Sequence, residues 1–486
     1  MFRPARSGAA PNLRYDRVTM SPSLPLLCLA ALLPAQEWRQ FRGPNATGVS
    51  SSRNVPVHFG PARNVVWKTP LPPGKSSPVF AGSRIFLTAH EGDKLLTLAV
   101  DRDSGRPLWR AELTRSRQER RNKLNDAAAP TPVTDGSSVY SFFPDFGLVS
   151  YDAAGKERWR LPLPPMPSMQ GVSASPLLAG SRLLLVLDQA ENSYMLAVDT
   201  RNGETLWKQA RRPAPGGAYS SPVLFGNSEF VTFSPFELAG FSVATGEKLW
   251  WVSGLPPQPK ATPLVAGDTI FAYVRSFFGD ALPQIPVFAT ALAQNDANHD
   301  GAIQKDEAPE GPARQFFGVV DRNKDGRVDA NEWDTMMEVA APKSTLLAIR
   351  PTGRGDLTAK AVRWQFFRNI PDVPTPLLYR NTLYMIQNGG ILSALNPGNG
   401  AVQKQGRLSG ALGDYYASPI AADGKIYAAN QEGKVAVIRA GADWEVLAVN
   451  DMGEECYATP AIVDGDLYVR TPTAFYRFSA RQGTAP

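Results

Sequence analysis

Two acidic segments in the middle of the chain carry oxygen-bearing residues at a spacing that could bind a divalent cation. They are DANHDGAIQKDE, residues 296–307, and DRNKDGRVDANE, residues 321–332. Each has Asp or Asn at positions one, three and five, glycine at six and glutamate at twelve. Ca²⁺ prefers about six to eight oxygen ligands in a flexible shell, and this spacing supplies them. The two segments therefore predict a pair of calcium sites.

Both segments fit the EF-hand loop at every specified position. The predicted ligands of loop one are Asp296, Asn298, Asp300, the Ala302 carbonyl, Gln304 and Glu307. Those of loop two are Asp321, Asn323, Asp325, the Arg327 carbonyl, Asp329 and Glu332. Gln304 occupies the position that often binds through water, whereas Asp329 adds an acid to loop two. Loop two is therefore expected to bind calcium more tightly.

The residues around the loops predict a compact pair. Ile303 and Val328, at position eight of each loop, are expected to form a short strand pair. The loops are separated by residues 308–320, which include Pro309, Gly311 and Pro312. Proline and glycine shorten the exit helix of the first hand, which favours a structural pair over a sensor that opens a groove.

The loops interrupt a repeat that accounts for most of the chain. Its opening Ser/Thr-Pro recurs at spacings of 41 to 54 residues, with one gap of 113 that contains the loops. The prolines are Pro78, Pro132, Pro176, Pro222, Pro263, Pro376, Pro419 and Pro460. This period is typical of a four-stranded propeller blade. The first copy divides into four strands at residues 78–81, 84–89, 94–101 and 107–110.

The fourth strand of the repeat carries a tryptophan four residues after a glycine turn. Trp109, Trp159, Trp207 and Trp250 have this pattern, and each indole is expected to pack against the next blade. The last copy lacks such a strand, but residues 64–71 near the N-terminus have its pattern, with Trp67 in place. We expect this segment to complete the last blade and close the ring.

The sequence thus predicts an all-β, eight-bladed β-propeller, with seven blades as the main alternative. The propeller takes residues 36–275 and 344–480, followed by a tail at 481–486. A small α-helical EF-hand pair, residues 276–343, is inserted in blade five between strands at 269–275 and 344–350. In an antiparallel blade, this insertion and the loop after Leu113 emerge on the same face. Residues 37–50 before the first strand are expected to form an ordered coil laid over the ring.

The loop after Leu113 contains RSRQERRNK, residues 115–123. This charge run is interpreted either as a solvated surface helix or as a basic lip for an anionic ligand. Aromatic residues near predicted loops could bind a partner, although strands are the alternative location for each. They are Phe142, Phe143, Phe146, Tyr415 and Tyr416.

Residues 1–35 have a basic start, an apolar stretch at 24–33 and a small residue at Ala35, which predicts a signal peptide. The apolar stretch is too short to span a bilayer as a helix. We therefore expect a secreted or periplasmic protein. Removal of four arginines and one aspartate lowers the net charge from +6 to +3, so the basic balance does not indicate nucleic-acid binding.

Few residues suggest catalysis. Cys28 lies in the signal peptide, which leaves Cys456 without an intrachain partner. Cys456 is expected to pack in a strand. His58, His90 and His299 are isolated in the sequence, and no nucleophile elbow, phosphate-binding loop or Cys/His metal cluster is present.

The repeats, with S/T-P at the start and D-x-x-x-G-x-x-x-W at the end, resemble the blades of pyrroloquinoline-quinone-type (PQQ-like) propellers. The N-terminal QFRGPNATGV, residues 40–49, resembles the start of secreted members. That superfamily includes quinoprotein alcohol dehydrogenases and an outer-membrane assembly lipoprotein. The resemblance implies a quinone, an axial calcium, a catalytic Asp and commonly an adjacent-cysteine disulfide for the enzymes. This chain has no adjacent cysteines and no stretch to which the quinone ligands can be transferred.

The sequence is compatible with three functions. The first is a calcium-binding scaffold that is not an enzyme. The second is a PQQ-dependent dehydrogenase with a divergent site. The third is a cell-envelope assembly factor that binds a protein or polysaccharide partner on the face bearing the insertion.

Overall fold

The computed structural model describes residues 38–213, 217–276, 285–315, 317–321, 323–340 and 342–480. The predicted signal peptide and tail lie outside the described residues. Within them, eight antiparallel sheets of four strands surround an axis, and a fifth strand extends one sheet. The prediction of eight blades is therefore confirmed, and the seven-bladed alternative is wrong.

The first strand in the chain belongs to the last blade. It is β1 (Val65–Pro70). Blades one and two contain β2 (Val79–Ala81), β3 (Arg84–Glu91), β4 (Lys94–Asp101), β5 (Pro107–Thr114), β6 (Val133–Thr134), β7 (Ser138–Phe143), β8 (Gly147–Asp152) and β9 (Glu157–Pro162). Blades three and four contain β10 (Leu177–Ala179), β11 (Arg182–Leu187), β12 (Tyr194–Asp199), β13 (Thr205–Ala210), β14 (Val223–Phe225), β15 (Glu229–Ser234), β16 (Glu237–Ser242) and β17 (Lys248–Ser253).

Blade five is divided by the insertion, as predicted. The chain continues through β18 (Leu264–Ala266), β19 (Thr269–Val274), α1 (Phe288–Asn295), β20 (Ile303–Gln304), α2 (Pro312–Gln315), α3 (Phe317–Val320), β21 (Arg327–Val328), α4 (Ala330–Ala340), β22 (Thr345–Ile349), β23 (Gly355–Asp356) and β24 (Val362–Phe366). Strands β18, β19, β22 and β24 form the blade, while β23 pairs with the edge of blade four. No helix among the described residues is long and apolar enough to cross a membrane.

Blades six to eight complete the ring. Their strands are β25 (Leu377–Tyr379), β26 (Thr382–Gln387), β27 (Ile391–Leu395), β28 (Val402–Arg407), β29 (Ile420–Ala422), β30 (Lys425–Ala429), β31 (Lys434–Arg439), β32 (Glu445–Asp451), β33 (Ala461–Val463), β34 (Asp466–Arg470) and β35 (Ala474–Phe478). Strand β1 pairs antiparallel with β35, with Lys68 opposite Tyr476. The predicted closure of the last blade by the N-terminal strand is confirmed.

The outer-strand tryptophans join neighbouring blades. Trp159 Nε1 donates to Thr200 O at 3.0 Å in blade three, and a Cβ added to Gly203 would lie 2.8 Å from its indole. Gly203 also has a φ of 78°, which side chains rarely adopt. Trp109 packs on Gly155 of blade two in the same way. The pattern thus joins neighbouring blades at these tryptophans, as predicted. Trp250 differs, because its Nε1 donates to Glu229 Oε2 of its own blade at 3.1 Å.

The basic run at residues 115–123 forms no helix, so that interpretation was wrong. Arg115 pairs with the fully buried carboxylate of Asp145 in blade two at 3.3 Å, and Arg121 pairs with the same side chain. Arg117 pairs with Glu119. The buried carboxylate attracts these guanidinium groups, so the loop is held against blade two and does not form a solvated helix.

The N-terminal segment crosses the far end of the ring. Phe80 N–H of blade one donates to Trp38 O at 2.8 Å, and Leu224 N–H of blade four donates to Asn45 Oδ1 at 3.1 Å. Ser50 N–H donates to Ala421 O of blade seven at 2.9 Å. The prediction of an ordered coil laid over the ring is confirmed, and the segment bonds to widely separated blades.

Candidate functional site

Loop one of the insertion holds its carboxylates against its own backbone. Asp296 Oδ2 accepts a hydrogen bond from Gly301 N–H at 3.0 Å. Glu307 Oε1 accepts from Ala297 N–H, and Oε2 accepts from Gln304 N–H, both at 3.0 Å. The first and last acidic positions therefore face the interior of one turn of chain.

Loop two has the same geometry with deeper burial. Asp321 Oδ2 accepts from Gly326 N–H at 3.0 Å, and Glu332 Oε1 accepts from Asn323 N–H at 3.3 Å. Asp321 and Glu332 are each only 7% exposed, and Asp321 Oδ1 has no hydrogen-bond partner among the described atoms. A buried carboxylate oxygen without a partner is costly unless a cation or donor reaches it.

Asp329 acts as the N-cap of α4. Its Oδ1 accepts from Glu332 N–H at 2.9 Å, and Glu332 Oε2 accepts from Asp329 N–H at 3.2 Å. This reciprocal pair is a capping box. It fixes the start of the helix and places the glutamate at position twelve beside the loop.

The two loops form one unit. Ile303 pairs antiparallel with Val328, as predicted. An apolar cluster beneath them includes Phe288, Ala291, Phe317, Trp333 and Met336. Only turns follow loop one before α2 among the described residues, which agrees with the expected compact pair. Glu338 of α4 pairs with Arg212 on the loop joining blades three and four, with Nη1 to Oε1 at 2.8 Å, and ties the pair to the propeller.

Within the described part of the chain, no three His, Cys, Asp or Glu side chains converge closely enough to hold a metal ion. The loop acids instead accept hydrogen bonds from loop N–H groups. The fit to calcium rests on the donor set and on the unpartnered Asp321 Oδ1. Carboxylate, amide and carbonyl oxygens without sulfur or imidazole suit a hard cation.

A second site lies on the axis, and it uses a residue type that the sequence reasoning overlooked. The Ser or Thr before each repeat proline lines an axial funnel. The eight residues are Ser77, Thr131, Ser175, Ser221, Thr262, Thr375, Ser418 and Thr459. The signal was available, because a hydroxyl recurs at this position in every copy.

These hydroxyls connect neighbouring blades. The N–H of Ser77 donates to Thr131 Oγ1 at 3.0 Å, and the N–H of Thr131 donates to Ser175 Oγ at 3.0 Å. Equivalent bonds link the N–H groups of Ser175, Thr262, Thr375 and Ser418 to the next hydroxyl around the ring. A residue before proline is restricted to an extended conformation, which keeps each N–H available for this bond.

The funnel has a volume of about 420 Å³, and the charged groups in its wall have partners within the protein. Lys260 Nζ bonds both carboxylate oxygens of Asp372, at 2.8 and 2.7 Å. Lys75 Nζ lies 3.8 Å from the ring centroid of Tyr457 and donates to Leu124 O at 2.7 Å. Burial lowers the pKa of Lys75, although Asp126 and Glu455 act in the opposite direction.

The N-terminal segment closes the inner end of the funnel. Phe41 lines that end, and the fully buried Arg42 donates to Pro376 O at 3.1 Å and Pro419 O at 3.2 Å. Burial lowers the pKa of Arg42 to about 9. The funnel wall continues through Asn122 and the other joining loops, so its mouth lies on the insertion-bearing face.

The remaining candidate residues are mostly structural. Four of the five predicted partner-binding aromatics are buried, namely Phe142, Phe143, Phe146 and Tyr415. Tyr416 lines the funnel, with its ring centroid 5.8 Å from that of Tyr457. His90 is half-buried in β3, and His58 and His299 are exposed.

Cys456 is buried in a loop between β32 and β33 rather than in the expected strand. Burial raises the pKa of its thiol to about 12. The loop that was interpreted as a basic lip does reach the funnel. Its residues that line the wall are Asn122, Leu124 and Asn125, none of which is basic.

A family model described as the outer membrane protein assembly factor BamB matches residues 93–277 and 336–485. The chain belongs to this family. The resemblance to PQQ-like propellers drawn from the repeats is thereby confirmed. An EF-hand model matches residues 313–337, which contain loop two and most of α4. No curated protein matches the chain in sequence.

Solved structures share the fold of this BamB-family chain at low identity. BamB from Moraxella catarrhalis has 11% identity and a TM-score of 0.52, over 85% of this chain and 99% of that one. Quinohemoprotein alcohol dehydrogenase from Comamonas testosteroni has 12% identity and a TM-score of 0.58, over 93% and 82%. The designed protein Ika8 has 10% identity and a TM-score of 0.53, over 84% and 97%. The likeness concerns the fold, which natural and designed chains share.

Proposed function

We propose that this chain is a secreted or periplasmic, calcium-binding β-propeller that acts as a non-catalytic binding scaffold. The observation that carries the proposal is the buried acidic centre of loop two, with its unpartnered Asp321 Oδ1. A divalent cation would neutralise the buried carboxylates of Asp321 and Glu332 and satisfy that oxygen. The match of the EF-hand model to this loop supports the assignment.

Calcium would be held by both loops. In loop one the proposed ligands are Asp296, Asn298, Asp300, the Ala302 carbonyl, Gln304 and Glu307. In loop two they are Asp321, Asn323, Asp325, the Arg327 carbonyl, Asp329 and Glu332. The ion would supply a fixed positive charge that orders the insertion on the propeller face.

The scaffold role is supported by the residues that line the axial funnel. Both carboxylate oxygens of Asp372 accept hydrogen bonds from Lys260, so these two charges are paired within the wall. The wall offers hydroxyls, amides and the ring of Tyr416. Such groups bind neutral polar chains, so a polysaccharide or protein segment is the proposed partner on the insertion-bearing face.

A quinone-dependent dehydrogenase is the alternative from another function class. The residues lining the funnel do not fit that cofactor well, because they include no tryptophan or cysteine. A quinone that carries carboxylates also needs cations, and Lys260 of the funnel is paired with Asp372. The funnel therefore favours the scaffold.

An assembly role in the cell envelope is the other alternative. It is favoured by the description of the matching family as an outer membrane protein assembly factor. Such a role is compatible with a scaffold that binds protein chains. Co-purification of the chain with envelope proteins, compared with a variant lacking residues 285–340, distinguishes it from polysaccharide binding.

The proposal is tested by titrating the chain with PQQ in saturating calcium while following heat and quinone absorbance. We expect no binding up to high micromolar quinone. Calcium-dependent binding accompanied by alcohol-driven dye reduction would overturn the non-catalytic role. The same titration after calcium chelation provides the control.

A further inference from the structure

Arg327 takes part in both calcium loops. It occupies position seven of loop two, where its carbonyl is a proposed calcium ligand. Its side chain leaves that loop and reaches Asp300, at position five of loop one. Arg327 Nη2 lies 2.6 Å from Asp300 Oδ2. The pairing of β20 with β21 brings the two residues together, because Gln304 lies opposite Arg327 in that sheet.

The guanidinium completes a network of loop-one ligands. Gln304 Nε2 donates to Asp300 Oδ2 at 2.7 Å, and Asn298 Nδ2 donates to Gln304 Oε1 at 3.1 Å. These are the side chains at positions three, five and nine of the loop. They are bonded to one another and, through Asp300, to a positive charge supplied by the protein.

Position five of loop two has a different set of partners. Asp325, its position-five acid, accepts from the backbone N–H of Arg327 at 2.9 Å and from Asn323 Nδ2 at 2.9 Å. Neither donor is a cation. At position five, calcium entering loop two would therefore displace neutral donors from Asp325, whereas calcium entering loop one must displace a guanidinium from Asp300.

We propose that Arg327 is a tethered cation that competes with calcium for Asp300 and so lowers the calcium affinity of loop one. The inference rests on the proposed calcium binding and adds to it a residue of one loop that sets the affinity of the other. The ion pair is partly solvated, since the Arg327 and Asp300 side chains are 45% and 30% exposed. A pair of this kind alters an equilibrium by roughly a factor of two to five.

The test is calorimetric calcium titration in the Glu332→Gln background, which removes the position-twelve ligand of loop two and leaves loop one to be measured. Arg327→Gln is compared with Lys324→Gln. Lys324 is an exposed residue of the same loop, and its replacement changes the net charge equally. We expect Arg327→Gln to tighten the remaining site about fivefold and Lys324→Gln to change it less than twofold. Arg327→Lys should retain part of the competition.

Equal shifts in the two variants would overturn the inference, because the effect would then be one of net charge. Loop-one binding that is unchanged, or undetectable in both variants at millimolar calcium, would also overturn it. These outcomes leave the proposed function intact if the wild-type chain still binds calcium at loop two. Failure of the wild-type chain to bind calcium would overturn the proposed function itself.

Discussion

The hydroxyl before a repeat proline accepts a hydrogen bond from the N–H of the neighbouring blade, as Thr131 and Ser175 do. The repeat prolines predicted where each inner strand begins, and the strands begin there. The hydroxyl before each proline was not recognised as a bonding group, because its partner lies in the next blade. The N–H of Ser77 bonds the hydroxyl of Thr131, 54 positions away. No local pattern shows which of two distant repeats supplies the acceptor.

The hydrogen bonds between N–H groups and hydroxyls of neighbouring blades should contribute to stability. Thr131→Val keeps the shape of the side chain but leaves Ser77 N–H buried without an acceptor. We expect the free energy of unfolding to fall by about 1 to 3 kcal/mol, measured by urea denaturation. Thr131→Ser keeps the acceptor and serves as the control. Equal stability of the valine and serine variants would show that the ring bond contributes nothing.

The acids of the two loops predict unequal calcium affinities. Asp329→Asn removes an acid from the more buried loop and should weaken the tighter calorimetric event severalfold. Glu307→Gln should abolish or weaken the other event and leave the tighter one in place. Asp334→Asn, an exposed acid of α4 outside the loop, is the control. Equal losses for the first two variants would contradict the ranking.

At the scale of elements, local patterns predicted strands well and the basic loop poorly. Strand β4 has the predicted bounds, because its apolar run and the turns on either side of it are local features of the sequence. The run at residues 115–123 has charges at helical spacing. It forms no helix because Arg115 and Arg121 pair with the buried Asp145 of blade two. That contact depends on tertiary structure, which charge spacing does not reveal.

The contact between Gly203 and Trp159 predicts that alanine destabilises the protein more at Gly203 than at Gly226, although both glycines have a positive φ. Gly203→Ala would place a Cβ 2.8 Å from Trp159, whereas a Cβ at Gly226 meets nothing within 4 Å. Both substitutions strain the backbone, with φ at 78° and 65°. We expect Gly203→Ala to cost about 1 to 3 kcal/mol more in chemical denaturation. Equal losses would mean that backbone strain alone explains the glycine.

At the scale of the whole molecule, the ring is closed in two ways. The sequence predicted the completion of the last blade by Trp67 and its neighbours, because the final repeat is short by one strand. It also predicted a coil over the ring at residues 37–50. It did not predict that Arg42 of this coil would enter the axis and bond to blades six and seven. The funnel is closed at this end by contacts between Arg42 and residues more than 300 positions away, which local patterns do not reveal.

Arg42 supplies a prediction at this scale. Arg42→Ala removes the donor for the carbonyls of Pro376 and Pro419 and should lower the free energy of unfolding by about 3 kcal/mol. Arg53→Ala, at an exposed position just after this coil, should change the free energy of unfolding little. The measurement is thermal and urea unfolding of both variants. If Arg42→Ala unfolds with the same free energy as the wild-type chain, the bonds of Arg42 to blades six and seven do not stabilise the ring.

The central claim is that the insertion binds calcium at two EF-hand loops. The most direct measurement is calorimetric titration of the full chain with calcium, beside the Glu307→Gln/Glu332→Gln double variant. We expect two binding events in the wild-type chain, the tighter one at loop two, and neither event in the double variant. Absence of binding in the wild type, or the same isotherm for both proteins, would contradict it.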